Sequence, residues 1–266
     1  MVSVRSKSPE ATEAPDERTM SRSRLYRVSG VIIRQRNLGE ADRVIVLLTR
    51  ERGKLSGVAR GVRRPRSKLA GSLQLFCHGR FLLAAGRSLD IITQVQLADA
   101  FSGLGSDLSR LSHASYVCEL VDVLTEEGAP DEAIYDLVIA ALHALNEGGD
   151  PATVVRVFEL KLLTHLGYGP EVYTCVSCGA EVEGGEPGFS AQEGGILCHR
   201  CRQAQGVAVI PAGVVRAMRD MIELPMEGLA KRRLTAAVGQ EMERVMRAYV
   251  DYRLARPLKS AEFLGR

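Results

Sequence analysis

Cys175-Val176-Ser177-Cys178 and Cys198-His199-Arg200-Cys201 repeat one internal spacing, with nineteen residues between the pairs. Each pair can aim two sulfurs at one cation, and Gly184, Gly185, Gly188, Gly194 and Gly195 let the intervening chain turn back to bring the pairs together. Four thiolates in this pattern predict one zinc ion. Because four protein ligands fill a tetrahedral shell, that zinc holds structure and leaves no position open for substrate. Four reduced thiols or two disulfides would give the repeated spacing no reason, and His199 is the neighbour able to replace a sulfur. Cys77 and Cys118 lie in apolar stretches far from the pairs and read as small buried side chains.

The second concentration of chemistry is charge. Residues 50 to 68 hold Arg50, Arg52, Lys54, Arg60, Arg63, Arg64, Arg66 and Lys68 against the single Glu51, a net of +7 in a chain whose total is +3. On a strand, period two places Lys54, Ser56, Val58 and Arg60 on one face, continuous with Arg63, Arg64 and Arg66. Such a strip suits a phosphate backbone, since successive cations release counterions without reading bases. Lys54, Arg60, Arg63, Arg64, Arg66 and Lys68 are the candidate nucleic-acid contacts; a solvated basic loop or an anionic-lipid patch are the alternatives. Only Tyr26, Phe76 and Phe81 offer aromatic rings nearby, and some must fill an interior. Binding is therefore expected to rest on phosphates, to accept single and double strands, and to leave base edges free for pairing.

Catalysis finds little support. Gly53-Lys54 lacks the upstream glycine and the following Ser or Thr of a phosphate-binding loop, and none of the five histidines stands in a His-x-Glu element. Asp42, Asp90 and Asp99 could assemble a magnesium site, although isolated barrel carboxylates usually face solvent or pair with arginine. The expectation is a protein that is not an enzyme.

The elements that position these residues follow from periodicity. Residues 1 to 24, polar and mixed in charge, are expected to be a disordered tail. Runs at 26–35, 43–50, 54–61, 80–86 and 90–97 are rich in β-branched residues, with turn residues at Asn37-Leu38-Gly39 and Arg52-Gly53. Five short strands in about seventy residues have the dimensions of an OB-fold β-barrel, here 25–100, with extra elements in the third-to-fourth connection; an SH3-like barrel is similar in size. An all-α domain follows over 101–266. Helices are predicted over 107–126 with Ser106 as N-cap, over 131–146, and from Asp150-Pro151 to His165. The first places Leu108, Leu111, Ser115, Cys118 and Val121 on one face, and the third carries a stripe of Val154, Phe158, Leu162 and Leu166. The four-cysteine zinc ribbon is inserted at about 172–205, and helices from Pro211 to Glu223 and from Leu229 to Arg253 complete the chain. No apolar run approaches the roughly 18 residues of a membrane span and no signal-peptide core opens the chain, so a cytoplasmic protein is expected.

The local strings carry a resemblance. Gly53-Lys54-Leu55, Val58-Ala59-Arg60-Gly61, Arg63-Arg64 and Ser67-Lys68-Leu69 resemble the N-terminal strand and loop of the bacterial RecO family. His165-Leu166-Gly167-Tyr168-Gly169-Pro170 and Lys259-Ser260-Ala261-Glu262-Phe263-Leu264 are similar to its C-terminal signatures, so the likeness spans residues 25 to 264. It implies an OB-fold and a helical domain acting in recombinational repair: DNA binding, annealing of complementary strands, partnership with RecR and single-strand-binding protein, and help to RecA in loading on gapped DNA at the nucleoid. Some members lack the paired cysteines, so the zinc expectation rests on this chain's own residues. From another class, an RNA-binding zinc-ribbon adaptor fits the same charge and cysteine pattern.

Overall fold

In the computed structural model, which describes residues 25–229, 232–254 and 258–264, five strands close into a barrel in the order β1-β2-β3-β5-β4. They are β1 (Leu25–Leu38), β2 (Asp42–Thr49), β3 (Gly53–Ala59), β4 (His78–Ala84) and β5 (Asp90–Asp99). The expected tail over 1–24 lies outside the described residues. All pairings are antiparallel except β3 with β5, which meet in parallel at Gly57↔Asp90 and Val58↔Ile91. This is the OB-fold arrangement, and Gly57 permits its closure. A Cβ there would lie 3.1 Å from Ile92 Cγ1 and 3.3 Å from the Asp90 carbonyl.

Alternation gives the barrel two apolar surfaces. Val28, Ile32, Ile45, Leu47, Leu55, Phe81, Leu83 and Ile92 fill the interior, whereas Val31, Ile33, Val46 and Leu48 point outward and join the core of the helical domain. That domain contains α1 (Leu108–Leu124), α2 (Glu132–Asn146) and α3 (Pro151–His165). A two-stranded insertion follows, β6 (Gly188–Ser190) with β7 (Gly195–Leu197), and then α4 (His199–Gln205), α5 (Ala212–Glu223), α6 (Met226–Leu229) and α7 (Ala236–Leu254). Asp150 caps α3 through its carboxylate and Pro151 occupies the first turn, as the sequence predicts. α3 is buried around most of its circumference, beyond the expected stripe, because α1, α2, α5, α6 and α7 all pack on it. No helix among the described residues is long and apolar enough to cross a membrane.

Three expectations are corrected. The N-cap of α1 is Asp107, whose carboxylate accepts from the Ser109 and Arg110 N–H groups, not Ser106. Its buried face runs through His113, Tyr116, Val117, Leu120 and Val121, while Leu108 is 77% exposed and Leu111 37%. The last long helix begins at Ala236 rather than Leu229, because Thr235 breaks the run: its hydroxyl accepts from the Val238 N–H and its carbonyl from the Gly239 N–H.

Candidate nucleic-acid interface and metal centre

Beyond β3 the chain runs from Arg60 to Cys77 as linked turns rather than as regular elements. Bonds from Arg64 N to Gly61 O (3.1 Å), Ser67 N to Arg64 O (3.0 Å) and Leu73 N to Leu69 O (3.1 Å) set the path. Val62 and Leu73 drop into the barrel interior and anchor the loop from below. Its start is fastened to the β1–β2 turn: Gly61 N donates to Asp42 Oδ1 (2.7 Å), Arg63 N to Ala41 O (3.0 Å) and Arg63 Nη1 to Gly39 O (2.9 Å). With the apolar residues of the loop turned inward, Arg60, Arg63, Arg64, Arg66 and Lys68 are left exposed.

Lys54 is not brought together with them. The alternation along β3 is as expected, but at this end of the strand the outward face is covered by the helical domain, and the Lys54 side chain is only 13% exposed. Its ammonium donates to the carbonyls of Asp122 and Thr125 and pairs with Asp122 Oδ1 at 3.3 Å. Those carbonyls belong to the last turn and C-cap of α1, where intrahelical donors run out, and α1 has no basic residue of its own there. Lys54 therefore caps a helix of the neighbouring domain. Arg34 reaches the same Asp122 carboxylate at 3.1 Å, and Arg50 pairs with Glu132 and Asp136 of α2 while lying 5.0 Å over the Tyr135 ring. Arg52 lies 3.9 Å from the centre of the Tyr26 ring. Gly53, at φ +64°, allows the approach, since a Cβ there would sit 2.1 Å from the Ala129 carbonyl oxygen.

Phe76 and Phe81 are buried and Tyr26 carries Arg52 on its ring while donating to Asp90, so none of these three aromatics stands free on the barrel surface. Arg36 was missed in the sequence. It is exposed on the outer side of β1 opposite Val44, and the Arg34-x-Arg36 alternation is the signal that would have found it. Asp42, Asp90 and Asp99 do not converge. Each accepts from a nearby backbone N–H, of Gly61, Gly86 and Phe101 respectively.

The four paired cysteines do converge. All four sulfurs lie within 4.8 Å of one another, the one such metal-holding group among the described residues, and Cys178 Sγ stands 3.8 Å from Cys198 Sγ. Tetrahedral thiolates at about 2.3 Å from one zinc would be about 3.8 Å apart, so the donor set fits that ion. His199 is turned away toward Glu186, at 3.8 Å, and is not among the four. The first pair sits on a tight turn, with Cys175 N bonded to Ala180 O and Gly179, at φ +73°, bonded back to Cys175 O. The second pair opens a helix: Cys198 is the N-cap of α4 and Cys201 is in its first turn. Burial pushes the Cys175 thiol up, but N–H donors from Cys198, Cys178 and Ser177 outweigh it and bring it to about 6. The hydrogen bond to Cys178 pushes Cys201 up to about 12. A dication would make four thiolates compatible in one place. Arg219 of α5 ties this module to the helices, donating to Val172 O (2.8 Å) and Val182 O (2.7 Å) on either side of the first pair.

Residues 20–101 match the family described as Recombination protein O N terminal, and residues 105–262 that described as Recombination protein O C terminal. Among curated proteins, a DNA repair protein RecO of Symbiobacterium thermophilum is 42% identical over 244 residues, covering 90% of this chain and 96% of its own. One of Roseiflexus sp. is 38% identical, with 91% and 86% covered, and one of Desulforudis audaxviator is 38% identical, with 90% and 96% covered.

Proposed function

The chain belongs to the RecO family of DNA repair proteins, which supports a role in recombinational repair, and we propose from that membership that it works as a non-catalytic mediator. In this reading residues 25–100 hold polynucleotide and residues 101–266 meet protein partners. Arg60, Arg63, Arg64, Arg66 and Lys68 bind the phosphates of one strand, and their exposure on a loop anchored by Val62 and Leu73 is the observation that carries the assignment. Arg36 extends the same surface, and Lys54 drops out of it. Backbone contacts hold a strand without covering its base edges, so a held strand stays competent to pair. Zinc on Cys175, Cys178, Cys198 and Cys201 supplies a fixed cross-link between the two ends of the insertion. RecR, the RecA loading step and a location at the cytoplasmic nucleoid come with the family.

Single-strand-binding protein would be met through an acidic, apolar-ended tail. A cavity of about 730 Å³ between the barrel and α1 is lined by Leu108, Leu111 and Phe263, which would take the tail's apolar end; of its charged residues Arg34 is paired with Asp122 and Glu119 is held by backbone and Ser260, which leaves Lys259 to meet the tail's acids.

The deciding experiment is annealing of complementary oligonucleotides, bare and coated with single-strand-binding protein, by the parent chain and by a variant with Arg60, Arg63, Arg64 and Arg66 all changed to Ala. Acceleration by the parent and its loss in the variant are expected. Equal affinity for DNA and RNA with no acceleration of annealing would instead favour the RNA-binding adaptor.

A further inference from the structure

The barrel's carboxylates are turned away from its arginines. Asp42, Asp90 and Asp99 accept from loop N–H groups, and Glu51 accepts from the Ser29 N–H with both oxygens, at 3.1 and 2.9 Å. Arg34, Arg50 and Lys54 find their acids on the helical domain. Arg27 and Arg80, on the wall built by β1, β4 and β5, have no acid partner among the described residues.

Register places these two arginines together. Arg80 stands opposite Ser29 on one side and Gln96 on the other, while the next row is Arg27, Leu82 and Gln94. Both rows point outward, because Val28, Phe81 and Ile92 occupy the interior. Arg27, Arg80, Gln94 and Gln96 are all exposed. Diagonal neighbours on adjacent strands are about 7–8 Å apart, roughly twice the 3.4 Å rise per nucleotide of one stacked strand. The guanidinium pair can therefore hold two phosphates of one strand, and the two amides add neutral donors beside them.

We propose that Arg27, Arg80, Gln94 and Gln96 form a second phosphate-binding track, which takes a second single-stranded polynucleotide while the loop after β3 holds the first. The proposal rests on the assignment of that loop to the first strand. Each track contacts backbone only, so one molecule brings two strands together with their bases free. Annealing then requires one protein molecule rather than the meeting of two.

The test uses the full chain and two unrelated, non-complementary oligonucleotides of about eight nucleotides, too short to reach both tracks. Titration calorimetry should find two bound per chain. Arg27→Gln with Arg80→Gln should leave one, keep the affinity and salt slope of the remaining event, and lower annealing about tenfold. The lost event should carry a salt slope near 1.4, from two phosphates at about 0.7 each. Arg27→Lys with Arg80→Lys should restore the second oligonucleotide, which separates lost charge from misfolding. The quadruple loop variant should lose the other event; if it still binds two while Arg27→Gln/Arg80→Gln binds one, the loop assignment fails and the second track stands. A parent that binds only one oligonucleotide, or a Gln variant that binds two and anneals normally, would overturn the second track.

Discussion

Lys54→Met separates a phosphate ligand from a structural cap. The methionine keeps most of the aliphatic stem that packs in the seam but removes the ammonium that serves the Asp122 and Thr125 carbonyls and the Asp122 carboxylate. Each partly buried carbonyl left without a donor costs about 1 kcal/mol, at the low end of the usual range. Loss of the ion pair adds about 1 kcal/mol, because Arg34 still faces Asp122 and prevents a bare buried charge. The expected loss is thus about 3 kcal/mol, read as a shift of the urea midpoint. DNA affinity measured over a range of salt should keep its slope, since no phosphate contact has gone. A variant whose slope falls by 0.7 to 0.9 units, the approximate value of one phosphate contact, while its urea midpoint is unchanged would show that Lys54 faces DNA and that the cap contributes nothing.

Changing Arg60, Arg63, Arg64 or Arg66 singly to Ala should weaken binding to unrelated sequences about equally and lower the salt slope by roughly one unit each, with melting temperature preserved; sequence-dependent losses would point to base contacts instead. Cys178→Ser should lower bound zinc from one per chain toward none and destabilise the helical domain, as a chelator should; metal analysis finding no zinc in the parent, with stability unchanged by chelation, would refute the site. Glu119 supplies a pH dependence. Burial pushes its carboxyl up, but the Ser260 hydroxyl and the N–H groups of Ser260 and Lys259 outweigh that, so its folded pKa falls below the ordinary 4.5. The resulting stabilisation of the C-terminal turn is complete above the unfolded value and is lost as pH falls through the folded one. Hydrogen exchange around Ser260–Phe263 should rise below about pH 4.5 in the parent, and Glu119→Gln should raise it already at pH 7; identical exchange in the two proteins would remove Glu119 from that role.

What was legible in the sequence were features fixed by local chemistry. β-branched runs and the Gly53 break give the five strands, Asp150-Pro151 gives the start of α3, and the repeated cysteine spacing gives four converging sulfurs. What was not legible depended on packing between distant segments. Lys54 and the carbonyls it caps are 68 and 71 residues apart in sequence, so period two could place the lysine on the outward face but not tell which part of that face α1 covers. The α1 face was misassigned for a related reason. Leu108 and Leu111 line the cavity beside the barrel, whereas His113 and Tyr116, whose polar atoms bond Ser109 O and Glu159, take the interior.

The division of charge follows from these same placements. Residues 25–100 carry fourteen Lys and Arg against five acids, and residues 101–266 carry sixteen against twenty-three. On the proposed assignment, so uneven a distribution would draw a polyanion to the barrel rather than to the helical domain, and the affinity should fall steeply with salt. At the seam the two signs meet: Arg34, Arg50 and Lys54 find Asp122, Glu132 and Asp136, which both holds the barrel in place and withdraws those cations from competition for phosphate. On the free side Asp42, Asp90 and Asp99 bind loop backbone and Glu51 binds the Ser29 N–H of β1, so these acids do not pair with the arginines there. Moving one such carboxylate off the backbone would therefore have two effects at once. Asp42→Asn weakens the tie between the loop start and the β1–β2 turn while removing a negative charge beside the basic strip. Tighter binding at low salt combined with slower annealing would mark the loop's shape, rather than its charge alone, as what presents a strand for pairing; equal gains in both would assign the whole effect to charge.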